Sequence, residues 1–241
     1  MWICCAVLAG ADNSHAEKRL SLGDWASIKG GGLPENWRPI TFPSIPAATS
    51  YEIVQDQAYG HVVRAHSFRG AGAIGRSLSV NPHDYPVLNW SWKIAGTLPG
   101  SSLAHENGDD FPARVMVSFK TEGASRRGVQ DNILCYVWAS TEPIGSVADN
   151  PVHSHIKTFV AASGSDRSGD WQEMSRNLVD DYRLAFSEAP GTLTGVVLMT
   201  DTDNTGAEAR AWYGPIWLSG DVDGGLQTSE KRSAEDEKMR R

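Results

Sequence analysis

Short apolar or alternating runs, each closed by Gly, Pro, Asn or Asp, recur from Tyr51 to Leu218 and constrain the chain to β-strands joined by turns. The clearest run is 113–119, where Ala113, Val115, Val117 and Phe119 share one face and Arg114, Met116 and Ser118 the other. Further strands are expected at 51–54, 61–67, 77–80, 87–94, 132–138, 156–160, 195–200 and 211–218. The 24 glycines and 12 prolines among 241 residues supply the turns this pattern requires. The pattern predicts an all-β fold, a two-sheet antiparallel β-sandwich, and the length suits one such domain. A single helix is expected at 177–186, with Asp180 and Asp181 early and Arg183 late, the order a helix dipole favours.

The flanks read differently. Between Glu17 and Ser50, Gly30-Gly31-Gly32, Pro34, Pro39, Pro43 and Pro46 permit only short strands and turns, so this segment is expected to wrap the domain and not to build its core. Residues 2–9 are apolar but too few to span a bilayer, which needs about 20. They read as the core of a signal peptide, with Ser14-His15-Ala16 placing small residues before a cut at Glu17, although no basic residue precedes the run. The expected organisation is therefore a signal peptide at 1–16, one β-sandwich domain at 17–219 and a charged, disordered tail at 220–241. Such a protein is periplasmic or secreted and has no transmembrane segment after cleavage. Cys4 and Cys5 fall inside the apolar run. Cys135, in the strand-like Ile133-Leu134-Cys135-Tyr136-Val137-Trp138, reads as a small buried apolar residue and not as a nucleophile.

A net charge of −7 with scattered Lys and Arg argues against nucleic acid as a partner. There is no Gly-x-Ser-x-Gly elbow, phosphate-binding glycine loop, His-Glu-x-x-His or Cys-x-x-Cys. Two polar loops carry the candidate chemistry. His105-Glu106-Asn107-Gly108-Asp109-Asp110 precedes an apolar strand, and its side chains suit a calcium ion, an acid/base pair or, most simply, a salt bridge to Arg114. Asp201-Thr202-Asp203-Asn204-Thr205-Gly206 spaces oxygens as a calcium loop does, but Trp212 stands where an EF-hand needs Glu. It is read as an Asp/Asn-stabilised turn, with a structural calcium on Asp201 and Asp203 as the alternative and no other cofactor expected. His153 and His155 share a strand face without an identifiable third metal ligand.

Tryptophan is abundant, with nine in the chain. Trp90 and Trp92 lie on one side of a strand, Tyr136 and Trp138 repeat the spacing, and Trp212 and Trp217 mark the last strand. Such indoles are core if they face a second sheet, the commoner use of large aromatics, or a platform for the apolar faces of sugar rings if they face solvent.

Tyr85-Pro86-Val87-Leu88-Asn89-Trp90-Ser91-Trp92-Lys93 and Gly108-Asp109-Asp110-Phe111-Pro112-Ala113-Arg114-Val115 are followed in order by Tyr136-Val137-Trp138, Gly169-Asp170-Trp171, Arg176-Asn177-Leu178-Val179-Asp180-Asp181-Tyr182-Arg183 and Met199-Thr200-Asp201-Thr202-Asp203-Asn204-Thr205. Together they resemble the bacterial domain-of-unknown-function family 3047 from about Leu33 to Ser219. The resemblance implies a secreted or envelope protein with a jelly-roll sandwich, similar in outline to non-catalytic carbohydrate-binding modules, and it carries no catalytic residues with it. One departure is Ser187 after Phe186, where Gly is expected to end the helix. The leading expectation is a module binding a glycan or other envelope polymer, with Trp90, Trp92, Trp138 or Trp171 as stacking surfaces and Asp109, Asp110 and Arg114 as polar anchors. The alternatives are a polysaccharide hydrolase or lyase using His105, Asp109 or Asp110, and an envelope interaction protein without a small ligand.

Overall fold

The computed structural model describes residues 18–25, 32–33, 35–121 and 130–220. The expected signal peptide at 1–16 and all of the expected tail beyond Gly220 lie outside the described residues. Among those described, no helix is long and apolar enough to cross a membrane.

Thirteen described strands form two stacked sheets. They are β1 (Lys18–Gly23), β2 (Arg38–Ile40), β3 (Ser50–Asp56), β4 (Gly60–Phe68), β5 (Ala71–Val80), β6 (Val87–Ile94), β7 (Arg114–Phe119), β8 (Asn132–Ala139), β9 (Val147–Asp149), β10 (Ile156–Ser163), β11 (Gln172–Asn177), β12 (Leu193–Asp201) and β13 (Glu208–Gly220). One sheet runs β11-β6-β13-β4-β3, with β1 added beside the end of β13; the other runs β2-β5-β12-β7-β8-β10-β9. The expected sandwich is therefore present, with one departure from a wholly antiparallel pattern. β10 pairs parallel to β8, because residues 140–155 form a crossover long enough to bring the chain back in the same direction.

Alternation decides what lies between the sheets. Leu88, Trp90, Trp92 and Ile94 of β6 face Val115, Val117, Phe119, Tyr136 and Trp138 of the opposite sheet, and all are buried. Trp90 stacks on Tyr136 with ring centroids 5.2 Å apart, and Trp92 on Trp138 at 6.0 Å. Trp90, Trp92 and Trp138 are thus core, at 1 %, 0 % and 1 % exposure, and present no face to a sugar. The indole N–H groups of Trp90 and Trp92 have no hydrogen-bond partner among the described residues. Each orphan N–H costs about 1–3 kcal/mol, but burying about 200 Å² of indole returns roughly 5 kcal/mol, so the inward position wins.

The segment before Ser50 does more than wrap. It contributes Leu22, Trp25 and Trp37 to the core, and its two indoles satisfy themselves on backbone carbonyls, Trp25 Nε1 on Gly214 at 2.7 Å and Trp37 Nε1 on Leu22 at 3.1 Å. The helix α1 (Leu178–Phe186) forms where expected. Asn177 caps it by accepting from the Val179 and Asp180 N–H groups, and Leu178 and Tyr182 enter the core. Ser187 ends it in the left-handed region at φ 59°, so the terminator exists without the glycine that would adopt it freely.

A smaller apolar cluster of Leu103, Phe111, Cys135, Val137, Ala139, Ile156 and Val160 lies against the outward side of the seven-stranded sheet and fastens the loop before β7. Burial pushes the Cys135 thiol up to about 12, which leaves it protonated and unreactive, as the strand pattern implied. Trp92→Ala is expected to lower the unfolding free energy by about 3–5 kcal/mol, read as a reduced urea midpoint, whereas Trp212→Ala on the outward side should cost about 1 kcal/mol or less.

Candidate functional sites

Two sites emerge, on different parts of the sandwich. The first is the outward face of the six-stranded sheet. Tyr213 pairs with Trp92 and Ile216 with Trp90, all inward, so the pleat turns Trp212 outward beside Lys93 and Trp217 outward beside Asn89. The register shift between Tyr213 and Ile216 lets both indoles face solvent although an odd number of positions separates them. Gly214 occupies that irregularity. A Cβ there would collide with the Ser91 hydroxyl and touch the Trp171 ring, so the glycine lets Ser91 lie close against the strand beneath Trp171.

Trp171 is held by polar bonds and not by the core. Its Nε1 donates to Asp56 Oδ1 at 3.1 Å, and Asp56 Oδ2 accepts from Lys93 Nζ at 3.0 Å. The Lys93 ammonium stands 4.8 Å from the Trp171 ring centre and 5.0 Å from that of Trp212, a cation between two indoles. Tyr59 packs edge-on against Trp171 at 4.8 Å and donates its hydroxyl to Glu173 at 2.9 Å. Farther along the strand the Arg19 guanidinium covers Trp217 at 4.1 Å. Tyr59, Trp171, Trp212 and Trp217 are all partly exposed. Burial acts to raise the Asp56 carboxyl, but hydrogen bonds from the Ala58 N–H and Lys93 outweigh it and hold the group below its usual value.

The second site lies where the chain leaves the seven-stranded sheet after β12 for the six-stranded one. Register sets Met199 of β12 opposite Arg114 at the start of β7, which brings Asp201 against the guanidinium. Arg114 Nε donates to Asp201 Oδ1 at 2.9 Å, Nη2 donates to Asp201 Oδ2, and Nη1 donates to Asp109 Oδ1 at 3.0 Å. Asp109 Oδ2 accepts from Asn150 Nδ2 at 2.8 Å, and the Phe111 N–H donates to Asp201 Oδ1 at 3.1 Å. Asp110 is fully buried; its Oδ2 accepts from both the N–H and the hydroxyl of Thr205, while Oδ1 has no partner among the described residues. Carboxylate oxygens of Asp110, Asp201 and Asp203 lie within 4.8 Å of one another.

Burial pushes the Asp201 carboxyl up to about 7 against the pull of Arg114, with Asp110 adding repulsion, and it raises Asp203 in the same way. Arg114 moves well above its ordinary value, since the charges of Asp201 and Asp109 outweigh its own burial, so it stays cationic.

The expected ligand site therefore does not assemble as one unit. Asp109, Asp110 and Arg114 are buried or nearly so and bound to one another's loops, and they brace the end of the sandwich instead of anchoring a ligand beside the indoles. The salt bridge to Arg114 is present, and it engages Asp109 in the way that speaks against an acid/base role. His105 is exposed and makes no side-chain cap for the 3-10 turn at 106–108. His153 and His155 stand 5.6 Å apart, and among the described residues no third ligand joins them. Of the expected stacking residues only Trp171 is on the outward face. Trp212 joins it there, and the sequence carried a sign of this, since Trp212 shares its strand face with Arg210 and Glu208 while Ala211 and Tyr213 take the other.

The sequence model of the family described as protein of unknown function, DUF3047, matches residues 35–217, and the chain belongs to that family. No curated protein sequence matches it. Among solved structures it is similar to the family 11 carbohydrate-binding module of the cellulosomal cellulase Lic26A-Cel5E of Clostridium thermocellum, at 13 % identity over 84 % of this chain and 95 % of that one, with a TM-score of 0.43. The family 30 carbohydrate-binding module of a second cellulosomal cellulase of Clostridium thermocellum matches at 14 % identity over 80 % and 90 %, TM-score 0.38. A xylan-binding domain, CBM22-1 of Paenibacillus barcinonensis Xyn10C, matches at 11 % over 79 % and 90 %, TM-score 0.37.

Two outcomes are expected. Arg114→Ala strands Asp201 and Asp109 and should cost about 3–5 kcal/mol in chemical denaturation, with Arg114→Lys recovering little because an ammonium lacks the guanidinium fork. The depressed Asp56 group gives the opposite sign to a raised one: the Asp56–Lys93–Trp171 contribution is whole above about pH 4, the unfolded value, and is lost only as the pH falls through the lower folded value. The fluorescence difference between the parent protein and Trp171→Phe should therefore stay constant from pH 8 down to about 4.5 and change in more acid solution.

Proposed function

We propose that the protein is a binding module for a glycan or a similar polar envelope polymer, and that the outward face of the six-stranded sheet is its binding surface. The observation that carries this reading is the aromatic row of Trp212, Trp171 with Tyr59, and Trp217, held on a solvent-facing sheet by Lys93, Asp56 and Glu173. Rings fixed at one edge and wet at the other supply contact area with little loss of side-chain freedom on binding. The charged groups between them offer hydrogen bonds to hydroxyls.

The row is elongated. Lys93 and Asn89, beside Trp212 and Trp217 respectively, are four residues apart on β6, roughly 13 Å at about 3.3 Å per residue. That length suits several units of an extended polymer better than one small molecule. A location outside the cytoplasm accords with the apolar run at residues 2–9 and belongs to the same proposal.

The test is a titration of the full chain with soluble plant and bacterial polysaccharides, read by intrinsic fluorescence and by calorimetry. Saturable binding is expected with at least one polymer. Trp171→Ala and Trp212→Ala should each weaken it roughly 30-fold, about 2 kcal/mol, with denaturation midpoints close to the parent's. Binding that survives both substitutions would move the surface elsewhere, and no binding to any polymer would remove the reading.

A further inference from the structure

We propose that Asp110, Asp201 and Asp203 form a calcium site at the end of the sandwich where the chain passes from β12 to β13. This goes beyond the polymer-binding reading and does not depend on it. The three side chains come from two segments far apart in sequence, the loop before β7 and the end of β12 with its following turn, yet each brings a carboxylate oxygen within 4.8 Å of the other two. Left ionised, carboxylates this close repel one another; a proton on one of them or a bound cation relieves the repulsion, and a cation serves all three at once.

Arg114 is not that cation for all of them. Its donors are committed to Asp201 and Asp109, and none reaches Asp110 or Asp203. With Asp109 included, four carboxyl groups gather around one guanidinium among the described residues, and a divalent cation offsets the negative charge of those that ionise.

A second, independent observation points to the ion. Asp110 is entirely enclosed, and Thr205 binds its Oδ2 with both the N–H and the hydroxyl, at 2.6 and 2.7 Å, which fixes the carboxylate's orientation. The Oδ1 atom left over is buried and receives no hydrogen bond among the described residues. A buried carboxyl oxygen without a partner is a costly arrangement, and a cation is a partner that would satisfy it. Gly206, at φ 65°, lets the loop fold back so that Thr205 reaches Asp110.

The donors are all oxygen, with no His or Cys in the group, which selects hard cations over zinc or copper. Calcium is favoured over magnesium, because irregular loop carboxylates satisfy its flexible shell, whereas magnesium demands a near-ideal octahedron and retains its waters.

The experiment uses the full chain, stripped with EDTA and dialysed, titrated with CaCl2 by calorimetry. One saturable site per chain is expected, with the thermal midpoint rising by about 5–10 °C at a hundredfold excess over Kd. Asp203→Asn and Asp110→Asn should each weaken binding tenfold or more. Asp203 is half-buried and outside the Arg114 bonds, so its variant decides the matter if Asp110→Asn fails to fold by circular dichroism. No heat and no midpoint shift, or unchanged affinity in the Asp203→Asn protein, would overturn the site. Tighter binding of Mg²⁺ than of Ca²⁺ would overturn the assignment of the ion.

Discussion

The stacking of Trp90 and Trp92 on Tyr136 and Trp138 joins the two sheets, and most of what the molecule presents to solvent follows from it. Once those indoles are inside, the two-residue repeat of β6 turns Asn89, Ser91 and Lys93 outward, and the paired strand β13 must turn Trp212 and Trp217 the same way. The surface is thus the complement of the core. Aromatic residues occur on both sides of one sheet for opposite reasons: inside, area removed from water outweighs two N–H groups without a partner among the described residues; outside, Asp56 and Lys93 hold the rings where the core cannot.

A second constraint closes the end of the sandwich. The Arg114 guanidinium ties the loop before β7 to the end of β12 through Asp109 and Asp201, and Thr205 ties the following turn back through Asp110. These groups are nearly all buried, so each bond that is made prevents a desolvated charge as much as it adds attraction. The same loop before β7 is also fastened from its apolar side, where Leu103 and Phe111 pack in a cluster with Cys135 and Val137 of β8.

Much of this was readable beforehand. Strands β3 to β8, β10, β12 and β13 show alternation or continuous apolar character, and α1 shows its Asn cap and acidic first turn. The strands that were not foreseen, β1, β2, β9 and β11, are edge or near-edge pieces: Gln172–Asn177 is mostly polar and Arg38–Ile40 contains Pro39, so their pairing comes from a neighbour and not from their own pattern. The two acidic loops were visible as loops, but their meeting depends on the β7–β12 register, which no local pattern encodes. For Trp90 and Trp92 the spacing admitted core or platform, with core the commoner use; the deciding sign was that Leu88 and Ile94 continue the same face, whereas Trp212 shares its face with Arg210 and Glu208.

β1 adds to the sheet beside the end of β13, with Lys18 opposite Gly220. The first and last described strands therefore meet in one ladder, and the polypeptide enters and leaves the domain at neighbouring points. Because Lys18 and Gly220 are neighbours across one ladder, the described domain can be inserted into a loop of another protein without pulling its own edges apart.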